Sequence, residues 1–274
     1  MGWGLNWPAM KVLLVEIPPF SIRALSGTVG VLLLAAVALR RGESLTLAPA
    51  LFPRLVLASL LNVTAWMGLA SFALLWLGAG EATIVCYTMA IWASFFAWAL
   101  LGEAITPRRV LALLIGFTGV GVLVLGDGLA IGIAKLPGVA LALSAAILFS
   151  LGTVVTKRWP MPMPPASLVA WQTGLGCAPL LVGAVLFDRW SVPEVSASSW
   201  LLLLYGGAGP LGLCYLAWFA ALRRLPASAA ATGTLLTPVV GVLAAALFLG
   251  EPLGLREVAA LSLTIGGVVL AIRG

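Results

Sequence analysis

The sequence predicts an all-α integral membrane protein: ten transmembrane helices, arranged as two inverted-topology five-helix repeats around a central cavity. Three observations predict it. Of 274 residues, 62% are hydrophobic and only 9% charged. A soluble domain is about 25% charged, so these charges are too few to cover a globule. The charges also bound uncharged runs at 55–80, 82–102, 110–126, 136–156, 159–187, 195–222, 225–250 and 258–272. Most of these approach the ~20 apolar residues that cross a hydrocarbon core. Finally, one charged corner is written twice, as LLGEAITPRR from Leu100 and FLGEPLGLRE from Phe248. In lipid a backbone must satisfy its own hydrogen bonds, which leaves helices or a closed barrel. Continuous apolarity without period-2 alternation excludes the barrel.

The elements follow in order. Two apolar stretches give helices at 2–17, with Lys11, and 19–40, with Arg23 and the terminal Arg40. The run 55–80 supplies the third helix, 53–76, and the next run the fourth, 80–102. The fifth, 107–126, follows the first copy of the charged corner, and the sixth is expected at 136–157. WPMPMPP at 159–165 ends that helix, because successive prolines cannot continue one. The remaining helices fall at 165–187, 198–222, 226–250 and 254–272. With the N-terminus cytoplasmic, ten Lys and Arg fall inside and five outside, Lys11 and Arg23 among the five. That bias predicts both termini in the cytoplasm. The net charge of +6 then belongs to orientation and lipid headgroups, and no nucleic-acid partner is expected.

The recurring corner sets the domain organisation. At an offset of 148, Leu101, Gly102 and Glu103 fall on Leu249, Gly250 and Glu251, and Arg108 falls on Arg256. At 146, PPFSIRALSGTVG (18–30) meets PPASLVAWQTGLG (164–176), and Lys11 meets Lys157. Two halves follow, residues 1–127 and 136–274, within a single transmembrane domain. Five helices per half is an odd number, so the second half crosses in the opposite sense. In secondary transporters that arrangement places the substrate site between the halves near mid-membrane.

The candidate chemistry is sparse. There is no His and no acid at a helix centre, so no catalytic residue, metal site or cofactor is expected and an enzyme is disfavoured. Cys86, Cys177 and Cys214 fall inside spans and read as small packing residues. Glu81 heads the fourth helix, as a cap or a site. Glu103 and Glu251 follow a Leu-Gly, where the Gly can end a helix in the left-handed region and the Glu can cap the next helix or pair with Arg108 or Arg256. Lys11 either snorkels or faces the cavity and binds a substrate carboxylate. Asn62 and Trp66 share a helix face at i, i+4. Tyr87, Trp92, Trp171, Gln172 and Tyr215 lie inside spans, and with Asn62 and Trp66 they are the candidate cavity wall. Trp3 reads as an interface anchor. YGGAGPLG (205–212) matches GxGxxG but follows no strand, so the dinucleotide reading fails. Gly207, Gly209, Pro210 and Pro238 are candidate hinges, with close small-residue packing as the alternative.

The short helices, the opening WGLNWPAMK, SFALLWLGAGEAT and the LGE…R…G corner in each half resemble the EamA family of the drug/metabolite transporter superfamily. They also resemble the bacterial aromatic amino-acid exporters of the YddG type. This resemblance implies a bacterial inner-membrane carrier, a monomer, exporting amino acids and related small metabolites by alternating access. Transport would be facilitative or weakly coupled. A multidrug or other metabolite carrier is the alternative within the superfamily, and a lipid-modifying enzyme the alternative outside it. The resemblance also implies a Pro midway along the fourth helix of each half. Pro238 supplies the second, but Ala90 stands at the first, which removes the kink expected there.

Overall fold

In the computed structural model the described residues are 1–103, 106–125, 129–189, 194–217 and 236–273. They form helices and connections, with no strand among them. In chain order the helices are α1 (Gly2–Leu13), α2 (Pro19–Arg40), α3 (Pro49–Ala73), α4 (Ala79–Leu101), α5 (Pro107–Leu125), α6 (Leu129–Arg158), α7 (Pro165–Phe187), α8 (Ala197–Ala217), α9 (Leu236–Leu249) and α10 (Leu255–Arg273). Six are long and apolar enough to cross a membrane: α2, α3, α4, α6, α7 and α8. Their outward faces expose Leu181, Val185 and Phe187, and α9 exposes Leu247 and Phe248. So much exposed apolar surface suits lipid rather than water.

Two boundaries differ from expectation. α1 ends at Leu13, four residues early, in turns that carry the chain to Ile17. α6 begins at Leu129 and runs through Pro137. A proline removes one helical hydrogen bond but does not oblige a helix of 30 residues to stop. Residues 226–235 of the expected helix 226–250 lie outside the described residues, as do Trp218, Arg223 and Arg224. α4 is also broken where no proline stands, at Tyr87–Thr88. There the Thr88 hydroxyl donates to the Val85 carbonyl at 2.7 Å, competing with the helical ladder.

α2 lies antiparallel along α7, and α5 along α10. α1 packs on α8 and α9, and α6 on α3 and α4. Carboxylates tie the ends. Glu43, just past α2, accepts from the Ala166 and Ser167 amides of α7 at 2.9 and 3.0 Å. Asp188, at the end of α7, accepts from the Ser21 amide and hydroxyl of α2, both at 2.7 Å. Glu16 receives the Ser196 amide at 2.8 Å and its hydroxyl at 3.0 Å. Those two donors hold its carboxyl below the usual carboxylate range.

The repeated corner is a repeated helix ending. Gly102 and Gly250 adopt φ of 71° and 65°. The following amides, of Glu103 and Glu251, reach back to Ala97 and Ala245 at 3.3 Å, which closes each helix with a left-handed residue. The glutamates then diverge from expectation. Glu251 does not cap the helix that follows. Glu251 caps α4, accepting from the Ala79 and Gly80 amides at 2.6 and 2.9 Å. Glu103 pairs with Lys157 at 3.3 Å.

A side chain at either glycine meets nothing within 4 Å, so only the backbone angle demands glycine there. Gly102→Ala and Gly250→Ala should each destabilise by about 1–2 kcal/mol. Gly121→Ala, in α5 with equally open surroundings, should be neutral or stabilising by up to ~1 kcal/mol. Melting midpoints in detergent check the opposite signs.

Candidate functional site

A cavity of about 300 Å³ lies among the described residues. Six helices wall it. α1 contributes Trp3, Asn6 and Trp7, α2 Arg23, and α3 Trp66, Met67 and Ala70. α4 gives Met89, Ala90 and Ala93, α6 Phe149, Ser150 and Thr153, and α8 Pro210, Leu211 and Tyr215. Arg23 and Ala70 stand near the end at which α1 finishes. Trp3, Thr153 and Tyr215 stand toward the end at which it begins, and Thr153 is exposed.

Aromatic edges hold the wall. Trp3 meets Tyr215 edge-on at 5.7 Å between ring centres. Trp66 sits between Trp7 at 6.4 Å and Phe149 at 4.9 Å. Such pairs prefer these inclined geometries, which suit the opposite charges of ring face and ring edge. The Trp3 indole donates to the Pro210 carbonyl at 3.0 Å. Pro210 lies in a π-helical segment, Gly207–Leu213, and a second one, Leu60–Ala65, interrupts α3. A widened turn loosens the ladder and frees carbonyls for other donors.

Beyond the cavity, Leu13, Ile17, Leu74, Leu77, Leu203 and Val242 are buried in one apolar cluster. Past that plug lies a charged network. Glu81 accepts from Lys135 at 2.7 Å and from Arg256 at 3.4 Å, and its other oxygen accepts the Gly78 amide at 3.0 Å. Arg256 also donates to Glu257 at 2.6 Å. Glu81 is therefore a cap and a charge partner at once.

Of the sequence candidates, Trp66, Tyr215 and Pro210 line this cavity. Tyr87 and Pro238 line a separate pocket of about 20 Å³ beside it. Trp92 packs edge-on against Phe117 at 5.4 Å, away from the cavity. The Trp171 indole donates to the Leu45 carbonyl at 2.8 Å, outside the wall. Gln172, beside it on α7, is not part of the wall. Asn62 faces α6, donating to Thr156 at 3.4 Å, while its carbonyl oxygen has no partner among the described residues. Lys11 is not part of this wall: its ammonium donates to the Leu74 carbonyl and, at 2.8 Å, to that of Leu77. It closes the C-terminal end of α3. Gly207 and Gly209 share the π-helical segment with Pro210.

Sequence reasoning missed Trp3, Asn6, Trp7, Phe149 and above all Arg23, which it assigned to the outer face. Arg23 is 8% exposed. The repeat held the signal. At the offset of 146 Arg23 falls on Val169, a buried position of α7, so that helix face is interior.

An all-helical membrane protein with an aromatic cavity closed at one end by packing and ion pairs is built as a membrane transporter. The chain belongs to the EamA-like transporter family, whose profile matches residues 1–125 and 136–273. It is 32% identical over 269 residues to the uncharacterized transporter YvbV of Bacillus subtilis, covering 98% of this chain and 87% of that one. It is 28% identical over 290 residues to a probable amino-acid metabolite efflux pump of Salmonella typhimurium, covering 99% and 91%. It is 26% identical over 277 residues to the aromatic amino acid exporter YddG of Ancylobacter novellus, covering 93% and 88%.

Water access gives a direct check. In a background with Cys86, Cys177 and Cys214 replaced by Ala, Thr153→Cys should react readily with a water-soluble maleimide. Ala82→Cys, buried in the apolar cluster, should stay unlabelled. Mass spectrometry of the intact chain reads both.

Proposed function

We propose that the chain is a carrier that exports amino acids and related small metabolites across the bacterial inner membrane by alternating access. The observation that carries this reading is the one-sided cavity, walled by aromatics and plugged at the far end by the apolar cluster and the Glu81 network. Amino acids as cargo rest on the names of the Salmonella and Ancylobacter relatives. No acid lines the cavity, which favours facilitated movement over proton coupling. The carrier works as a monomer, with the cargo and the bilayer as its partners.

Ten crossings in two inverted halves are the architecture of this reading, and several observations support it. The helix pairings exchange with one another when the halves are exchanged: α2–α7 and α5–α10 map onto themselves, and α1 on α8 and α9 becomes α6 on α3 and α4. The π-helical segments of α3 and α8 overlap at the offset of 148. Ser21 and Ser167, equivalent at 146, are each bound at a helix start by an acid from the end of the partner helix. The cavity end carries Arg40, Arg41, Arg54, Arg108 and Arg158, which favours that face, with the N-terminus, as cytoplasmic. In this frame Gly207, Gly209 and Pro210 are hinge positions in α8, Pro238 one in α9, and the break at Tyr87–Thr88 takes the part of the missing proline in α4.

Reconstitution in liposomes tests the reading. Labelled phenylalanine and other amino acids should cross down their gradients, unchanged by an imposed pH difference. Absence of flux for every amino acid would overturn the cargo assignment. Ala93→Trp, which puts a ring into the cavity, should reduce flux to background while the melting midpoint stays within about 2 °C. Glu81→Gln leaves Lys135 and Arg256 without their shared carboxylate. The closed end should then open more often, by roughly 10- to 100-fold for a charge-assisted hydrogen bond of about 1.5–3 kcal/mol. Maleimide labelling of Thr153→Cys from the opposite side of the membrane measures that opening.

A further inference from the structure

We infer that Arg23 is the binding residue for the cargo's carboxylate, so the site selects small organic acids by their anionic group. This rests on the cavity being the cargo site. Arg23 is 8% exposed and lines the cavity. Its Nε donates to the Ser71 hydroxyl, and that hydroxyl donates in turn to the Met67 carbonyl at 2.6 Å. The relay fixes the guanidinium plane. Among the described residues no carboxylate comes within ion-pair reach of Arg23, and its two terminal nitrogens make no hydrogen bond. The other cations of this face that are not exposed have partners: Lys11 has two carbonyls, and Lys135 and Arg256 have Glu81, whereas Arg189 is exposed at the end of α7.

A guanidinium keeps its charge when buried, and an unpaired buried charge is strongly unfavourable. In a membrane span such a group is by default a functional one. The chemistry of its missing partner follows from the site. The two terminal nitrogens form the planar fork that a carboxylate meets with two parallel hydrogen bonds. The wall holds no second cation, so a dianionic phosphate is poorly served. The remaining surface is Trp3, Trp7, Trp66, Phe149 and Tyr215, which receives an apolar or aromatic body. There is no acid for an ammonium group, which meets only the Asn6 amide, freed carbonyls and aromatic faces. The carboxylate is therefore the group that recognition requires, and the amine is secondary.

Trp3, Trp7 and Trp66 make intrinsic fluorescence of the purified full chain a direct readout of binding. 3-Phenylpropionate and L-phenylalanine should bind saturably. Their neutral-headed analogues, 3-phenylpropionamide and L-phenylalaninamide, should bind at least ~10-fold more weakly, which is about 1.4 kcal/mol. Arg23→Gln should abolish the preference for acid over amide, and Arg23→Lys should restore part of it. Equal binding of acid and amide by the unaltered protein overturns the proposal without any variant. So does an undiminished acid preference in Arg23→Gln, stronger binding of inorganic phosphate than of the carboxylates, or no saturable binding at all. Liposome flux separates this from the cargo reading. Acids that bind through Arg23 while no amino acid crosses would remove the amino-acid reading and keep this one. Amino acids that cross equally well in Arg23→Gln would do the reverse.

Discussion

The carboxylate that ends one helix and binds the first amides of another is the interaction on which this structure depends. Glu16 does so for α8, Glu43 for α7, Asp188 for α2 and Glu251 for α4. Each start of a helix leaves backbone donors without an internal partner. Near a bilayer, water is a scarce substitute. An acid there satisfies two donors and sits against the positive end of the helix dipole. It also fixes which helices are neighbours and in which sense they run. The antiparallel α2–α7 pair is bound this way at both of its ends. The bundle is thus stitched along its two faces, and Arg23 is the one charged residue in the cavity wall.

That arrangement explains which features were legible in the sequence. Helices and their order were, because apolar runs between charges report the length a span needs. The LGE corner was recognisable as a repeat, and Gly102 and Gly250 now give its cause: each closes its helix in the left-handed region, which suits glycine and disfavours other residues. The partners of the acids were not legible. Glu251 reaches α4 across the bundle, and no local spacing encodes a contact between residues 172 apart in the chain. The break in α4 was missed for a different reason. Proline is the visible kink signal, but Thr88 bends a helix through its hydroxyl, and most threonines in helices do not.

The candidate wall was half legible. Trp66 and Tyr215 were found because large aromatics deep in spans need a polar partner or a cavity. Trp171, chosen on the same ground, instead donates to the Leu45 carbonyl. Depth along a helix can be read from sequence, whereas direction around it requires the packing partners. α1 shows the limit most clearly. Three consecutive-turn residues, Trp3, Asn6 and Trp7, all face inward, yet its short length and terminal position suggested an interface anchor for Trp3.

Lys11 and Arg23 carry the same lesson into function. Each lies within about a turn of the end of its helix, and a count of basic residues places both on one face. The flexible ammonium of Lys11 turns back to the carbonyls that α3 leaves open. The guanidinium of Arg23, held through Nε by Ser71, has no such carbonyl and faces the cavity. The proposed carrier must close over its site before opening on the other side. With the cavity empty, closure strips water from an unpaired guanidinium. With a carboxylate in place, the same closure buries a hydrogen-bonded pair, which is far less unfavourable. The differential free energy that any ligand-driven conformational change requires is therefore present in this one side chain. An aromatic wall then tolerates many bodies behind the same anionic head, because its contacts are broad and adaptable.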